Sequence, residues 1–262
     1  MPFAEYIALG DSMSIDLYPA LDAGETDVAV ALEWNARAGT VAPLGAASLL
    51  HSNHERFDEF TGRDLVTRFP GIAFRNLCED GATIGDVFGS QLPLIEAADA
   101  ETLFTLTAGG NDLLSAFAAG KDPSLLRGVV RDVGDAYEFL VETLRRTRPN
   151  SVLLLATVYD PSDGTGAIPG LFDGVSRLPL EFLDQLNDRI RGVAGGVAGG
   201  VAGGVAGGVH GAWVADAHRH FLGHGVSAKD ADRWYWRRNL IEPGLRGASE
   251  LRRLWLDALE QQ

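Results

Sequence analysis

Three short motifs along the chain contain the residue types that acyl transfer to a serine requires. The first is Gly10-Asp11-Ser12, which directly follows an apolar run and places Ser12 where the next helix is expected to begin. Free N–H groups and a positive helix dipole at that point would stabilise an oxyanion beside Ser12. Serine is also a frequent N-cap residue of helices, and this motif taken alone favours the capping role.

The other two motifs contain groups that can donate hydrogen bonds to an oxyanion. Gly81 follows a second predicted strand, and a glycine there can turn its N–H into a pocket, although glycine also marks ordinary turns. The motif Gly109-Gly110-Asn111-Asp112 follows a third, more apolar strand. The Asn111 amide can donate to a developing oxyanion, or it can cap the helix that follows.

The elements that must position these motifs are βα units. Short apolar runs alternate with longer amphipathic segments, which is typical of helices around a parallel sheet. The runs predicted as strands are Tyr6–Leu9, Ala73–Leu77, Leu103–Thr107, Val152–Val158 and Trp213–Ala215. The segments predicted as helices are Ile84–Ala98, Ser124–Arg148 and Leu245–Leu259. Ligand-binding groups gather beyond the carboxyl ends of parallel strands, so the three motifs are expected at one edge of the sheet.

The ordered set of motifs resembles the first three conserved blocks of the SGNH, or GDSL, hydrolase family. Gly10-Asp11-Ser12 matches the first block, Gly81 the second and Gly109-Gly110-Asn111-Asp112 the third. The resemblance implies an α/β fold with three α/β/α layers and a five-stranded parallel sheet of flavodoxin-like order. It also implies an esterase with Ser12 as nucleophile and an oxyanion hole formed by the Ser12 amide, the Gly81 amide and Asn111. No cofactor and no metal are expected.

The chain departs from this family in the last block, where the family has Asp-x-x-His-Pro. The matching segment here reads Asn239-Leu240-Ile241-Glu242-Pro243, so that asparagine replaces aspartate and Glu242 replaces the base histidine. A glutamate with an ordinary pKa near 4.3 is a poor base for a serine hydroxyl. To act as the base, Glu242 would need burial that raises its pKa. Otherwise a histidine from elsewhere in the chain would have to be the base.

A histidine-rich segment after the last predicted strand offers such a replacement. His218, His220 and His224 lie within seven residues, and His218 is the first candidate because it is nearest to the strand end. Glu242 or Asp216 would then orient its ring. Three alternatives stay open: a relocated histidine base, a Ser12 assisted by the Glu242 carboxylate, and a weakly active or inactive protein that binds a ligand. The substrate expected of an active enzyme is a carboxylic ester, with a thioester or a sugar O-acetyl group as variants.

Composition excludes several other classes of function. The 262 residues carry a formal net charge of -14, and an acidic surface disfavours nucleic acid and anionic membranes as partners. Cys78 is the only cysteine, so neither an internal disulfide nor a cysteine zinc site can form.

The first residues lack the features of a signal peptide, and a cytoplasmic location is expected. No linker rich in proline and serine divides the chain, so residues 1–262 are predicted to form one domain.

One segment has no counterpart in ordinary globular sequences. Val193–Gly208 consists of four tandem Val-Ala-Gly-Gly repeats. Its glycines would each cost a helix about 1 kcal/mol relative to alanine. Three interpretations remain: a helix weakened by glycine, a flexible tract, and a membrane span. The last is the least favoured, because a span needs about 20 strongly apolar residues.

Overall fold

The computed structural model describes residues 2–24, 41–119, 123–171, 177–199 and 211–260. Within these ranges, five parallel strands form one sheet in the order β2-β1-β3-β4-β5. The strands are β1 (Glu5–Gly10), β2 (Ala73–Asn76), β3 (Thr102–Thr107), β4 (Ser151–Ala156) and β5 (Gly211–Ala215). This is the flavodoxin-like order. The predicted α/β fold class and the five predicted strands are therefore confirmed, with bounds that shift by at most two residues.

Helices cover both faces of the sheet. The helices are α1 (Leu17–Asp22), α2 (Ala46–His51), α3 (Leu65–Arg68), α4 (Ile84–Asp86), α5 (Gly110–Ala118), α6 (Pro123–Thr147), α7 (Leu180–Gly199), α8 (Ala217–Phe221) and α9 (Leu245–Glu260). Two short 3₁₀ helices (Asp58–Phe60 and Leu92–Leu94) and one π-helical segment (Val87–Gln91) complete the set. Helices α2 and α9 pack on one face, whereas α6 and α7 pack on the other. The result is the three-layer arrangement that the sequence predicted.

Alternating side chains of the central strands supply the two cores. In β1, Tyr6 and Ala8 belong to the core on the α2 and α9 side, whereas Ile7 and Leu9 belong to the opposite core. Every residue of β3 and β4 is buried. Burial on both faces explains why these strands read as continuous apolar runs rather than as alternating patterns.

The predicted long helix over Ile84–Ala98 is wrong. The chain forms only a single turn at α4, then the π-helical segment, then the 3₁₀ helix Leu92–Leu94. Pro93 lies inside this stretch, and proline lacks the N–H that a continued α-helix would need. The irregular segment directs the Gln91 side chain to Gly10 at the end of β1.

The first seven residues of the Val-Ala-Gly-Gly tract continue α7, which ends at Gly199. Val193 and Ala194 pack into the core beside the sheet. The helical interpretation therefore holds for residues 193–199, and the rest of the tract lies outside the described residues. Among the helices that the structure describes, none is both long and apolar enough to cross a membrane. The single domain and the cytoplasmic location stay predictions.

Candidate active site

Ser12 lies in a tight turn at the carboxyl end of β1. Gly10 has a φ of +124°, and a Cβ there would lie 1.7 Å from the Thr107 carbonyl oxygen, so only glycine fits. The Asp11 amide donates to that same oxygen at 3.0 Å. Ser12 itself is only 6% exposed. The close approach of β1 to β3 therefore sets the position of the serine.

The expectation that a helix begins at Ser12 is wrong. The first helix after β1 begins at Leu17, and Asp16 is its N-cap residue. A capping role for Ser12 is thus excluded, and the dipole of α1 does not act at its hydroxyl. The Asp11 side chain stabilises the turn instead, because it accepts a hydrogen bond from the Met13 amide at 3.1 Å. Among described residues, the Ser12 amide has no hydrogen-bond partner and is available to a ligand.

The Gln91 side chain binds the backbone of Gly10 and so stabilises the turn that carries Ser12. Sequence reasoning missed this contact. The Gln91 Oε1 accepts from the Gly10 amide at 2.8 Å, and its Nε2 donates to the Gly10 carbonyl at 2.8 Å. Gln91 is 1% exposed, so both bonds are shielded from water. No motif marks this residue, and the predicted regular helix over Ile84–Ala98 would not have singled it out.

Asn111 lies in the first turn of α5, at the carboxyl end of β3. Its Nδ2 donates to the Ala82 carbonyl at 3.0 Å, which leaves the second amide hydrogen for another acceptor. The neighbouring Asp112 accepts from the Ile84 amide at 3.0 Å. These two bonds join the Gly81 turn to α5. Gly81 has a φ of +71° and is not among the residues that line the pocket described below.

Glu242 is the residue that the tertiary structure brings to Ser12. Ser12 and Glu242 line the same pocket, and the nearby Ser12 side chain lowers the pKa of the Glu242 carboxyl. The loop that carries Glu242 is anchored on both sides: the Tyr159 hydroxyl donates to the Ile241 carbonyl at 2.8 Å, and the Trp236 amide donates to the Glu242 carbonyl at 2.9 Å. Glu242 is 6% exposed.

Burial raises the pKa of Glu242 to about 8. The Ser12 side chain acts in the opposite direction, and the nearby carboxylates of Asp80 and Asp11 add smaller effects that raise the pKa. Asp80 is held in place by the Tyr18 hydroxyl, which donates to both of its carboxylate oxygens. One Glu242 carboxyl oxygen, Oε2, is buried with no partner among the described residues. A carboxyl group with this pKa is protonated in most molecules at neutral pH. Once deprotonated, it is a far stronger base than an ordinary glutamate.

The three candidate histidines lie away from Ser12. The His218 Nε2 is 3.7 Å from Asp184, and the His218 amide donates to Thr157. The His220 Nε2 is 3.0 Å from Glu250. The His224 ring stacks on Trp234, and its Nδ1 lies 2.7 Å from the Asp232 carbonyl oxygen.

Asp216, the other residue considered for orienting a histidine, pairs with Arg191 at 3.0 Å. None of the three histidines lines the pocket that contains Ser12. The geometry therefore gives no support to His218 as the base, and it places Glu242 alone of the candidates at the serine.

A pocket opens between Ser12 and the helices α5 and α7. Its lining is mainly apolar, and no arginine, lysine or histidine contributes to it among the described residues. The lining residues are Asp11, Ser12, Met13, Gly110, Asn111, Leu113, Leu114, Phe117, Leu126, Val158, Tyr159, Asp160, Pro161, Ile168, Leu178, Pro179, Leu180, Phe182, Leu183, Ile241 and Glu242. Within the described ranges, no three or more histidine, cysteine or carboxylate side chains form a cluster that could hold a metal ion.

Comparison with solved structures shows the same fold in several lipases and esterases. A protein described as a GDSL-like lipase from Parabacteroides merdae is 12% identical, with a TM-score of 0.60 over 100% of this chain and 97% of its own. Phospholipase A1 from Streptomyces albidoflavus is 18% identical, with a TM-score of 0.52 over 99% of each chain. An acetylxylan esterase from Geobacillus stearothermophilus is 13% identical, with a TM-score of 0.58 over 98% of this chain and 94% of its own. No protein-family model and no curated protein matches the sequence.

Proposed function

We propose that the protein is a serine hydrolase of carboxylic esters in which Ser12 is the nucleophile and Glu242 is the general base. The observation that supports this most is that a buried serine and a buried carboxyl group of raised pKa line the same, mainly apolar pocket. Glu242 also occupies the sequence position at which the SGNH family, which this chain resembles, has its base histidine. The fold shared with lipases and esterases is consistent with the proposal.

The reaction has two steps that mirror each other. The Ser12 hydroxyl transfers its proton to the Glu242 carboxylate while its Oγ attacks the acyl carbon, which forms a tetrahedral oxyanion. Collapse of this intermediate breaks the bond to the alcohol, and the departing oxygen takes the proton from Glu242. Water then attacks the acyl-Ser12 ester, Glu242 accepts the water proton, and the same proton returns to Ser12 as the carboxylic acid leaves.

The oxyanion would be stabilised by the free amide hydrogen of Asn111 and by the Ser12 amide, with Gly81 as the third proposed donor. For Asn111→Ala we expect kcat to fall by about 10²- to 10³-fold, because loss of one oxyanion donor has that effect in other acyl-transfer enzymes. Steady-state hydrolysis of p-nitrophenyl butyrate measures it.

The matched control is Asn150→Ala. The Asn150 amide also donates to a backbone carbonyl, that of Asp99 at 2.8 Å, but Asn150 lies away from the pocket. We expect this control to keep the wild-type rate. An Asn111→Ala variant with wild-type kcat would show that Asn111 is no oxyanion donor.

The pH dependence of turnover tests the identity of the base. Burial raises the pKa of Glu242 to about 8, so the active carboxylate form gains population as the pH rises through that value. We expect kcat/KM for p-nitrophenyl acetate to rise about tenfold per pH unit below pH 8 and to level off above it. A plateau reached already near pH 6–7 would indicate a histidine base instead, and single alanine variants of His218, His220 and His224 would then locate it.

A second candidate function is a ligand-binding protein without catalytic turnover. The same observation that identifies Glu242 favours it, because a carboxyl group with a pKa of about 8 is mostly protonated at neutral pH. A protonated group can hold Ser12 by a hydrogen bond but cannot accept its proton. Background-level hydrolysis of activated esters at every pH from 5 to 10 would support this alternative.

A further inference from the structure

We propose that the pocket beside Ser12 binds the acyl chain of the substrate and selects a neutral hydrocarbon chain longer than acetyl. This inference rests on the proposed ester hydrolysis and extends it to the substrate class. It excludes as preferred substrates an acetate, whose acyl group is too short to fill the pocket, and an ester with a charged acyl group. Four properties of the pocket support it: the composition of its walls, the hydrogen bonds that its polar groups already make, its charge, and its position relative to Ser12.

Three helices on one face of the sheet supply part of the wall, and loops supply the rest. Helix α5 contributes Leu113 and Phe117, and α7 contributes Phe182 and Leu183. Leu126 of α6 adds a further wall residue and is 3% exposed, as is Phe182. Aliphatic and aromatic side chains offer a hydrocarbon chain dispersion contacts but offer no hydrogen bonds to a hydroxyl-rich group.

Apart from the groups proposed to act on the ester (Ser12, Asn111 and Glu242), the carboxylates along the wall are already engaged within the protein. The Asp160 carboxylate accepts from the Ser162 amide at 2.8 Å, the Ser162 hydroxyl at 2.6 Å and the Gly164 amide at 2.7 Å. The Asp11 carboxylate accepts from the Met13 amide. A sugar in this pocket would leave its hydroxyl groups unpaired, at a cost of about 1–3 kcal/mol each.

Charge excludes anionic acyl groups. The pocket contains the carboxyl groups of Asp11, Asp160 and Glu242, and no cationic side chain lines it among the described residues. Burial raises the pKa of Asp11 to about 6, so at neutral pH that group is mostly charged. A phosphate or a carboxylate on the acyl chain would be repelled by these charges.

The position of the walls assigns the pocket to the acyl side rather than to the alcohol side. Glu242 must deliver a proton to the departing alcohol oxygen, so the alcohol lies next to the Glu242 loop. That loop contributes only Ile241 to the apolar lining. Helix α5, which also carries Asn111, and helix α7 together contribute six apolar side chains to the wall. The acyl chain, which shares its carbon with the oxyanion, is the part of the ester that extends along these helices.

The first test compares esters that differ only in chain length or in orientation. For p-nitrophenyl esters from acetate to hexanoate, assayed above pH 8, we expect kcat/KM to rise roughly fourfold per methylene and about 10²-fold over the series. Ethyl hexanoate should be hydrolysed much faster than its isomer hexyl acetate. A flat or falling series, or a preference for hexyl acetate, would overturn the assignment to the acyl side.

The second test narrows the pocket by replacing a lining residue with a larger one. Leu183 lines the pocket and is half-buried, so Leu183→Trp should lower kcat/KM for the hexanoate by at least about tenfold more than kcat/KM for the acetate. The control is Leu94→Trp, because Leu94 is 52% exposed and lies outside the pocket. Equal losses on both esters in Leu183→Trp would contradict a chain-binding role.

A binding experiment separates failure of this inference from failure of the proposed hydrolysis. Calorimetry on the Ser12→Ala variant should show 2-octanone binding at least about 10²-fold more tightly than acetone, and Leu183→Trp should abolish the difference. If wild type hydrolyses no ester but the ketone preference holds, the proposed hydrolysis is wrong and the hydrocarbon site stands. If Ser12-dependent hydrolysis is found without any chain preference in rate or in binding, the hydrocarbon site is wrong and the hydrolysis stands.

Discussion

The Ser12→Ala variant is expected to lose between about 10³- and 10⁶-fold in kcat for p-nitrophenyl butyrate. Removal of the nucleophile in a well-studied serine protease has an effect at the upper end of this range. The physical reason is that no acyl-enzyme can form without the Ser12 Oγ, so the two-step route is closed. A burst of p-nitrophenol at the start of the wild-type reaction should disappear in the variant.

The neighbouring Ser14 provides the matched control. Its hydroxyl pairs with the Thr107 hydroxyl at 3.2 Å, and it is fully buried two residues after the nucleophile. Ser14→Ala should keep most of the activity, and thermal unfolding of both variants checks that they fold. Ser12→Ala with an unchanged rate and an unchanged burst would disprove the proposed nucleophile.

The Glu242→Gln variant is expected to lose about 10²- to 10⁴-fold in kcat, which is the usual contribution of a general base. Glutamine keeps the size of the side chain and can still pair with the Ser12 hydroxyl, but it cannot accept the proton. The rise in rate through pH 8 should disappear together with the activity. A variant with reduced kcat but the wild-type pH dependence would show that another group is the base.

The same substitution should stabilise the fold at high pH. The pKa of Glu242 is raised to about 8 in the folded protein, so its stability contribution is full below the unfolded pKa near 4.5 and is lost as the pH rises through about 8. The neutral glutamine avoids this loss, and Glu242→Gln should be more stable than wild type at pH 9 by up to about 5 kcal/mol. Urea unfolding at pH 5 and pH 9 measures the difference.

Glu250 offers a control in which the pKa is shifted in the opposite direction. Its interactions with His220 and Arg253 outweigh its burial and lower its pKa to about 2. Its contribution to stability is therefore present above pH 4.5 and is lost only as the pH falls through about 2. Glu250→Gln should weaken the fold at pH 9 and leave ester hydrolysis unchanged. Equal stability changes in the two variants would show that the raised pKa of Glu242 is not the cause.

Replacing Glu242 by a histidine gives a second test of its proposed role as the base. Glu242→His combined with Asn239→Asp restores the two residue types that the SGNH family has at these positions. If Glu242 stands at the position of the base, the double variant should be active with a rate plateau near pH 6–7 rather than above pH 8. Glu242→Gln carries neither base and serves as the inactive reference.

The sequence by itself determined most of the architecture and half of the site. Apolar runs of the right length predicted all five strands, because strands buried on both faces must be apolar throughout. Parallel strands end at one edge of the sheet, and this is why Ser12 and Asn111, which are 99 residues apart in the chain, could be expected near each other. The predicted helix from Ile84 failed because Pro93 and a π-helical segment interrupt a pattern that read as continuous.

Only the tertiary structure decided which residue lies beside Ser12, the proposed nucleophile. His218 is near a strand end in the chain, but α8 directs its ring to Asp184, and closeness in sequence does not determine where a side chain points. Glu242 reaches Ser12 because contacts of Tyr159 and Trp236 hold its loop over the end of the sheet. Its raised pKa follows from burial, and burial is a property of the assembled chain that no local pattern of residues can specify.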